Sequence, residues 1–201
     1  MLSKKDAALY YKLRDELFMF AMDVFFKKEL QKIQNKTDDF QIIMNYFANK
    51  IFDKNNRYIL DALVRMNPNK LPQEELDIIG GWRNFIKGQF FFFEQRSNYA
   101  VFLSLQNDER GIYGVKGITE SVEDVCCKGN FKIPVVLDTI LLPFKENIIY
   151  HGLLSFGEQL AEPTRINLQK QISEIIASKS IITSLNFVSE NKKIRNQLVC
   201  Q

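Results

Sequence analysis

Histidine is almost absent from this chain: His151 is the only one among 201 residues. Any Ser–His or Cys–His catalytic device, and any histidine-bearing metal site, would have to be built on that single ring. No Gly-x-Ser-x-Gly elbow accompanies it. Cysteine is scarce too, at three residues. Cys126 and Cys127 are adjacent, with Cα atoms ~3.8 Å apart, below the ~4.4–6.8 Å that a relaxed disulfide spans. Cys200 stands next to last, and no Cys or His cluster has zinc spacing. Reduced thiols are therefore expected, with no metal and no cofactor.

Long apolar runs are missing as well. The longest near the start, Leu17 to Met22, has six residues. A membrane helix needs about 20 and a signal h-region about 7–15. Asp15 and Glu16 stand where a signal peptide would keep a basic segment. The expectation is a cytoplasmic protein with no membrane partner.

Charge of one sign is not in large excess, the net being +3. It is unevenly spread. Residues 1–70 hold 13 basic against 9 acidic side chains, residues 71–160 hold 8 against 12, and residues 161–201 hold 6 against 3. Basic ends around an acidic middle can help dock a protein partner or a second copy. They make nucleic acid an unlikely partner, because phosphate contacts supply most of such affinity.

What the chain does have is aromatic residues, 17 Phe and 7 Tyr, and hydrophobic content of 46%. The stretch Thr139 to Tyr150 carries two apolar runs around Lys145-Glu146-Asn147, a hairpin pattern with apolar residues on both parities. Phe90 to Phe93, four aromatics in a row, likewise require a sheet covered on both faces. Five strands are predicted, at 88–96, 98–106, 111–118, 134–144 and 148–156, with a short helix over 121–127. Such spacing describes an antiparallel meander or small barrel. Gly111, Gly114 and Gly117 recur every third residue, but no strand-to-helix switch and no Lys-Ser/Thr follows, so they mark close backbone approach or bulges rather than a phosphate loop.

Helices flank this region. Leu9, Leu13, Leu17, Phe20 and Val24 make one stripe and predict a single helix over 5–34. Further helices are predicted at 38–53, capped by Thr37 or Asp38, at 56–66, and from Pro72 onward. The first three should pack as an antiparallel bundle. Leu168, Ile172, Ile175 and Ile176 predict a C-terminal helix, with Ile181 and Ile182 continuing as a turn or edge strand. The fold class expected is α+β: N-terminal antiparallel helices, a five-stranded antiparallel meander or small barrel, and a closing C-terminal helix. Asn67-Pro68-Asn69-Lys70 is the expected boundary, giving a helical region at 1–70 and an α+β module at 71–201 with its β-meander at 88–157.

Trp82-Arg83-Asn84-Phe85, Tyr113-Gly114-Val115-Lys116-Gly117 and Leu141-Leu142-Pro143-Phe144 followed by Ile148-Ile149-Tyr150-His151-Gly152-Leu153-Leu154 form a spaced signature. Over roughly residues 72–185 it resembles a family of bacterial proteins with no known biochemical function. That resemblance implies a compact β-containing module and no particular chemistry. The family carries Asp where this chain has His151.

No catalytic set emerges. The candidate functional residues are His151, Tyr150, Asp138, Trp82 and Arg83. The function expected is a non-catalytic interaction module that binds a protein partner or itself through apolar helix faces. The alternatives are a small enzyme centred on His151 and Tyr150, or a weak nucleic-acid-binding regulator. Phe90–Phe93, Tyr99 and Phe102 would be the regulator's stacking platform.

Overall fold

The computed structural model describes residues 1–106, 111–157 and 161–185. Among these, the chain forms two compact units, a helical one from Ala8 to Asn84 and a β-barrel one comprising Met1–Ala7 and Phe85–Leu185. The stretch from Asn67 to Lys70 is a turn within the helical unit.

Seven helices are described. In place of one helix over 5–34 there are two, α1 (Lys4–Val24) and α2 (Lys27–Gln34). The break is made by aromatic packing. Phe26 leaves helical geometry at φ −121° and is buried with its ring 5.7 Å from Phe47. Phe25 sits edge-on to both Phe20 and Tyr58. Burying Phe26 and partly burying Phe25 outweighs continuing one helix whose next eight residues, all of α2, bury nothing. In α3 (Phe40–Ile51) the cap is Asp39, whose carboxylate accepts from the N–H of Gln41 at 2.8 Å and of Ile42 at 3.3 Å. Thr37 instead receives the N–H of Asp39.

Helix α4 (Tyr58–Met66) ends on Asn67 in the left-handed region, φ 39°. The Asn67 side chain then clamps Leu71, accepting its N–H at 2.7 Å and donating to its carbonyl at 3.0 Å. Two side-chain bonds turn a polar, proline-bearing stretch into a defined corner. Helix α5 (Gln73–Gly81) follows Pro72, with Glu74 and Glu75 in its first turn. Glu75 is bound by Lys12 at 2.7 Å.

The barrel is built from β1 (Ile86–Gln95), β2 (Ala100–Ser104), β3 (Ile112–Lys116), β4 (Val135–Phe144) and β5 (Asn147–Tyr150), with α6 (Val122–Lys128) between β3 and β4. The order is β1-β2-β3-β5-β4, and β4 returns to β1, so the ring is closed. All pairings in it are antiparallel except β3–β5, which is parallel over Val115–Ile148 and Lys116–Ile149. The purely antiparallel meander is thus corrected to a mixed Greek-key barrel. The reason lies outside local pattern: β4 crosses to the far side of β1, and its hairpin partner β5 then meets β3 running the same way.

One long strand serves two neighbours because it bends. β1 pairs with β4 over Ile86–Phe92 and with β2 over Phe90–Gln95, and a bulge between Phe92 and Glu94 turns it. Alternation does the rest. Phe90, Phe92, Phe102, Tyr113, Leu137, Leu141 and Tyr150 are buried and share the inner face through their cross-strand pairs. Phe90 and Tyr113, on strands that are not neighbours, bring their rings within 6.2 Å across the interior. Phe91 and Phe93 point outward and are covered by Leu168, Ile172 and Ile176 of α7 (Glu162–Ser178). Both faces of the aromatic run are accordingly dry.

The predicted strand over 148–156 is two pieces. β5 ends at Tyr150, Gly152 adopts φ 102°, and β6 (Ser155–Phe156) resumes pairing with β4 at Leu137 and Asp138. Helix α6 begins with a capping box in which Ser121 and Asp124 exchange bonds.

Candidate functional site

The candidate residues fall into two groups, and the barrel holds three of them. His151 follows β5 by one residue, and its N–H donates to the carbonyl of Ile140 at 2.9 Å, extending the β4–β5 ladder. Its side chain therefore shares the outer face with Ile140 and Ile149. Only 4% of His151 is exposed, and Ile140 and Ile149 are buried with it. Tyr150, at 5%, faces the other way, into the barrel beside Leu141. The two neighbours in sequence are thus on opposite faces and form no common site.

Asp138 is exposed on β4, opposite Gln89 of β1 and Ser155 of β6, with the Gln89 amide 3.5 Å from its carboxylate. It lies on the face that carries Ile140 and His151, two residues along β4 from Ile140. The barrel therefore brings Asp138 and His151 to one face while separating Tyr150 from both. Trp82 and Arg83 belong to the helical unit. Trp82 is fully buried, edge-on to Tyr10 at 5.8 Å, in the short 3-10 turn that follows α5. Arg83 is exposed and bonds Asp61 at 3.1 Å. Trp82 closes the end of α5 onto α1 of its own unit.

Among the described residues no three His, Cys, Asp or Glu side chains converge on a metal-sized site. Cys126 is buried, and burial pushes its thiol up to about 12. At that value the nucleophilic thiolate is scarce at neutral pH. Cys127 is exposed.

Beyond these candidates, the β1–β2 loop, the β4–β5 turn and the first residues of the chain each carry a polar contact that the sequence did not single out. In the loop, Arg96 binds Glu94 at 2.6 Å, and that bond raises the guanidinium further above its ordinary value, helped by Tyr99. In the turn, Lys145 sits at φ 54° and binds Asp6, which holds the Asp6 carboxyl below the usual carboxylate range. The N–H of Leu2 donates to Gly117 at 2.9 Å. Gly117 is needed here, since a Cβ on it would lie 1.9 Å from the carbonyl oxygen of Glu120. The glycine spacing was the available signal; a backbone neighbour is the reason at Gly117, whereas at Gly111 and Gly114 the neighbours are the side chains of Tyr113, Tyr99 and Thr183.

The chain matches no protein-family model, no curated protein and no solved structure.

Proposed function

We propose that the protein is a non-catalytic cytosolic binding module whose barrel offers the recognition surface. The observation that carries this reading is the closed order β1-β2-β3-β5-β4 with α6 between β3 and β4. A five-stranded Greek-key barrel is the OB type of architecture, in which the β2–β3 face and the β1–β2 and β4–β5 loops hold ligands. Architecture alone does not assign a ligand, so the residues must. Here those two loops carry exposed Arg96, Ser97 and Asn98 on one side and Lys145 and Glu146 on the other. They suit a polar or peptide-like partner better than an apolar one. The spaced signature through Tyr150 groups the chain, in this reading, with the bacterial family of no known chemistry that it resembles.

The nucleic-acid alternative loses its platform. Phe90 to Phe93 and Phe102 are buried, and of the stacking candidates only Tyr99 is partly open. The enzyme alternative rests on His151 and Tyr150, which are buried on opposite faces.

A thermal-shift panel of peptides, oligosaccharides and oligonucleotides tests the reading, because a ligand at 100 times its Kd adds ~2.7 kcal/mol of stability. A peptide or sugar is expected to shift the melt and to be left unchanged chemically. His151→Asn is expected to cost ~1–2 kcal/mol, as an imperfectly replaced buried polar group does, while keeping that shift. Turnover of any panel compound, abolished by His151→Asn at an unchanged melting temperature, would overturn the proposal.

A further inference from the structure

The seam between β3 and β5 is short. β5 pairs only with Val115 and Lys116, which leaves the same edge of β3 unpaired by any barrel strand from Ile112 to Gly114. That stretch is filled by the chain's own segment after α7. Ile182 lies parallel to Tyr113, donating its N–H to the Ile112 carbonyl at 2.8 Å and accepting the Gly114 N–H at 2.8 Å. Gly114 makes room for it, because a Cβ there would lie 3.1 Å from the Thr183 methyl and 3.0 Å from the Tyr99 ring.

The notch and its occupant differ sharply in burial. Ile112, Tyr113 and Gly114 are buried, whereas Lys179, Ser180, Thr183 and Ser184 are exposed and Ile182 is 39% exposed. Two backbone hydrogen bonds hold a segment that buries little. Such a segment opens locally long before the barrel does. What it leaves behind is a donor and an acceptor at strand spacing on a rigid edge, the template for adding an extended peptide.

We propose that the β3 edge at Ile112–Gly114 is a strand-addition site for an extended peptide, and that Ile181–Thr183 is the latch that occupies it in cis. This rests on the binding-module reading and specifies its partner: a main-chain-pairing segment, parallel to β3, with β-branched residues like Ile181-Ile182-Thr183 and a slim contact at Gly114. A foreign peptide binds only the unlatched fraction, so the latch weakens its apparent affinity by that fraction.

The test titrates a labelled peptide of residues 178–185 into the full chain. Ile182→Pro in the protein removes the N–H that bonds Ile112 and frees the notch without emptying the core. The peptide should bind this variant about tenfold more tightly than wild type, the effect of one backbone hydrogen bond lost by the competitor. A peptide carrying proline at position 182 should bind neither protein, and Gly114→Val should abolish binding to the opened variant. Equal binding to both proteins, or binding indifferent to Gly114, overturns the proposal. Should Ile182→Pro not fold, hydrogen exchange on wild type decides: the amides of Ile182 and Gly114 must exchange together and far faster than that of Phe102. Exchange as slow as Phe102 overturns the latch. A wild-type dimer whose Ile182 amide is protected only at high concentration would assign the segment to a second copy and overturn it too. A null titration beside a positive ligand panel sinks the latch and leaves the binding module standing.

Discussion

The two units spend their apolar residues differently. In the barrel, the apolar residues of the strands are covered on both faces, and among the described residues the large exposed apolar side chains of that unit, Met1, Leu105, Ile166, Ile175 and Ile182, all lie outside its strands. In the helical unit Phe40 is 67% exposed and Met19 66%, alongside Ile42, Tyr58 and Met66. The strands of this barrel have apolar residues covered on both faces, so nearly all of those residues are committed. A helix on a surface commits one stripe and leaves the rest optional. The barrel should therefore punish substitution almost everywhere, and the helices only along their buried stripes.

The largest test of that contrast pairs Phe92→Ala with Phe40→Ala. Phe92 fills the barrel interior 5.5 Å from Phe102, and its truncation should cost about 3–5 kcal/mol. Phe40→Ala should stay within about 0.5 kcal/mol. Comparable losses in urea melts would mean that the exposed aromatic is not optional and would break the comparison.

Next comes the corner at Asn67, where the helical unit depends on polar bonds rather than packing. Asn67→Ala removes both side-chain bonds to Leu71 and places a Cβ-bearing residue without local hydrogen bonding at positive φ. A loss of about 1–2 kcal/mol is expected. Early tryptic cleavage at Lys70 in the variant but not in wild type would sharpen the point. Cleavage there in wild type would contradict a clamped corner.

The thiols give a smaller, kinetic effect within the barrel unit. Iodoacetamide on the native protein at pH 7.5 should label Cys127 and leave Cys126 unmodified, since Cys126 is buried with its thiol raised to about 12. Mass spectrometry of the tryptic peptide reads the ratio of single to double labelling. Equal labelling would show that α6 opens as readily as a surface helix.

The smallest effect is the Asp6–Lys145 pair. Asp6 has a carboxyl pKa lowered first by its bond to Lys145, so its contribution is complete above the unfolded value of ~3.9. It is lost as pH falls through the lower folded value. The pair is exposed, and Asp6→Asn should cost under ~1 kcal/mol at pH 7. Wild type and variant melts should converge near pH 2. A constant gap between them from pH 7 to pH 2 would assign the difference to something other than ionisation.

Much of this molecule is legible in local pattern. The stripes of α1, α3 and α4 follow from apolar residues at helical spacing, and the cap of α6 from Ser121 three residues before Asp124. The strands follow from alternation and turn residues, including the Lys145-Glu146 turn that sets the β4–β5 register. Two-sided cover of Phe90–Phe93 also follows, because four adjacent aromatics cannot share one face. The α1–α2 break was not legible, since Phe25 and Phe26 continue the apolar content and only the positions of Phe47 and Tyr58 explain the turn. For the candidate site, the sequence singled out His151 as the lone ring and Gly114 as a close approach, yet it joined His151 with Tyr150, which alternation sends to opposite faces.

By itself the sequence determined where most of the helices and strands lie, and that Phe90–Phe93 must be covered on both sides, because those properties depend on spacing within a few residues. Tertiary structure alone decided that β4 returns to β1, that β5 meets β3 in parallel, and that Ile182 fills the notch this leaves. Those pairings join residues tens of positions apart through backbone groups that every residue carries, so no side-chain pattern announces them.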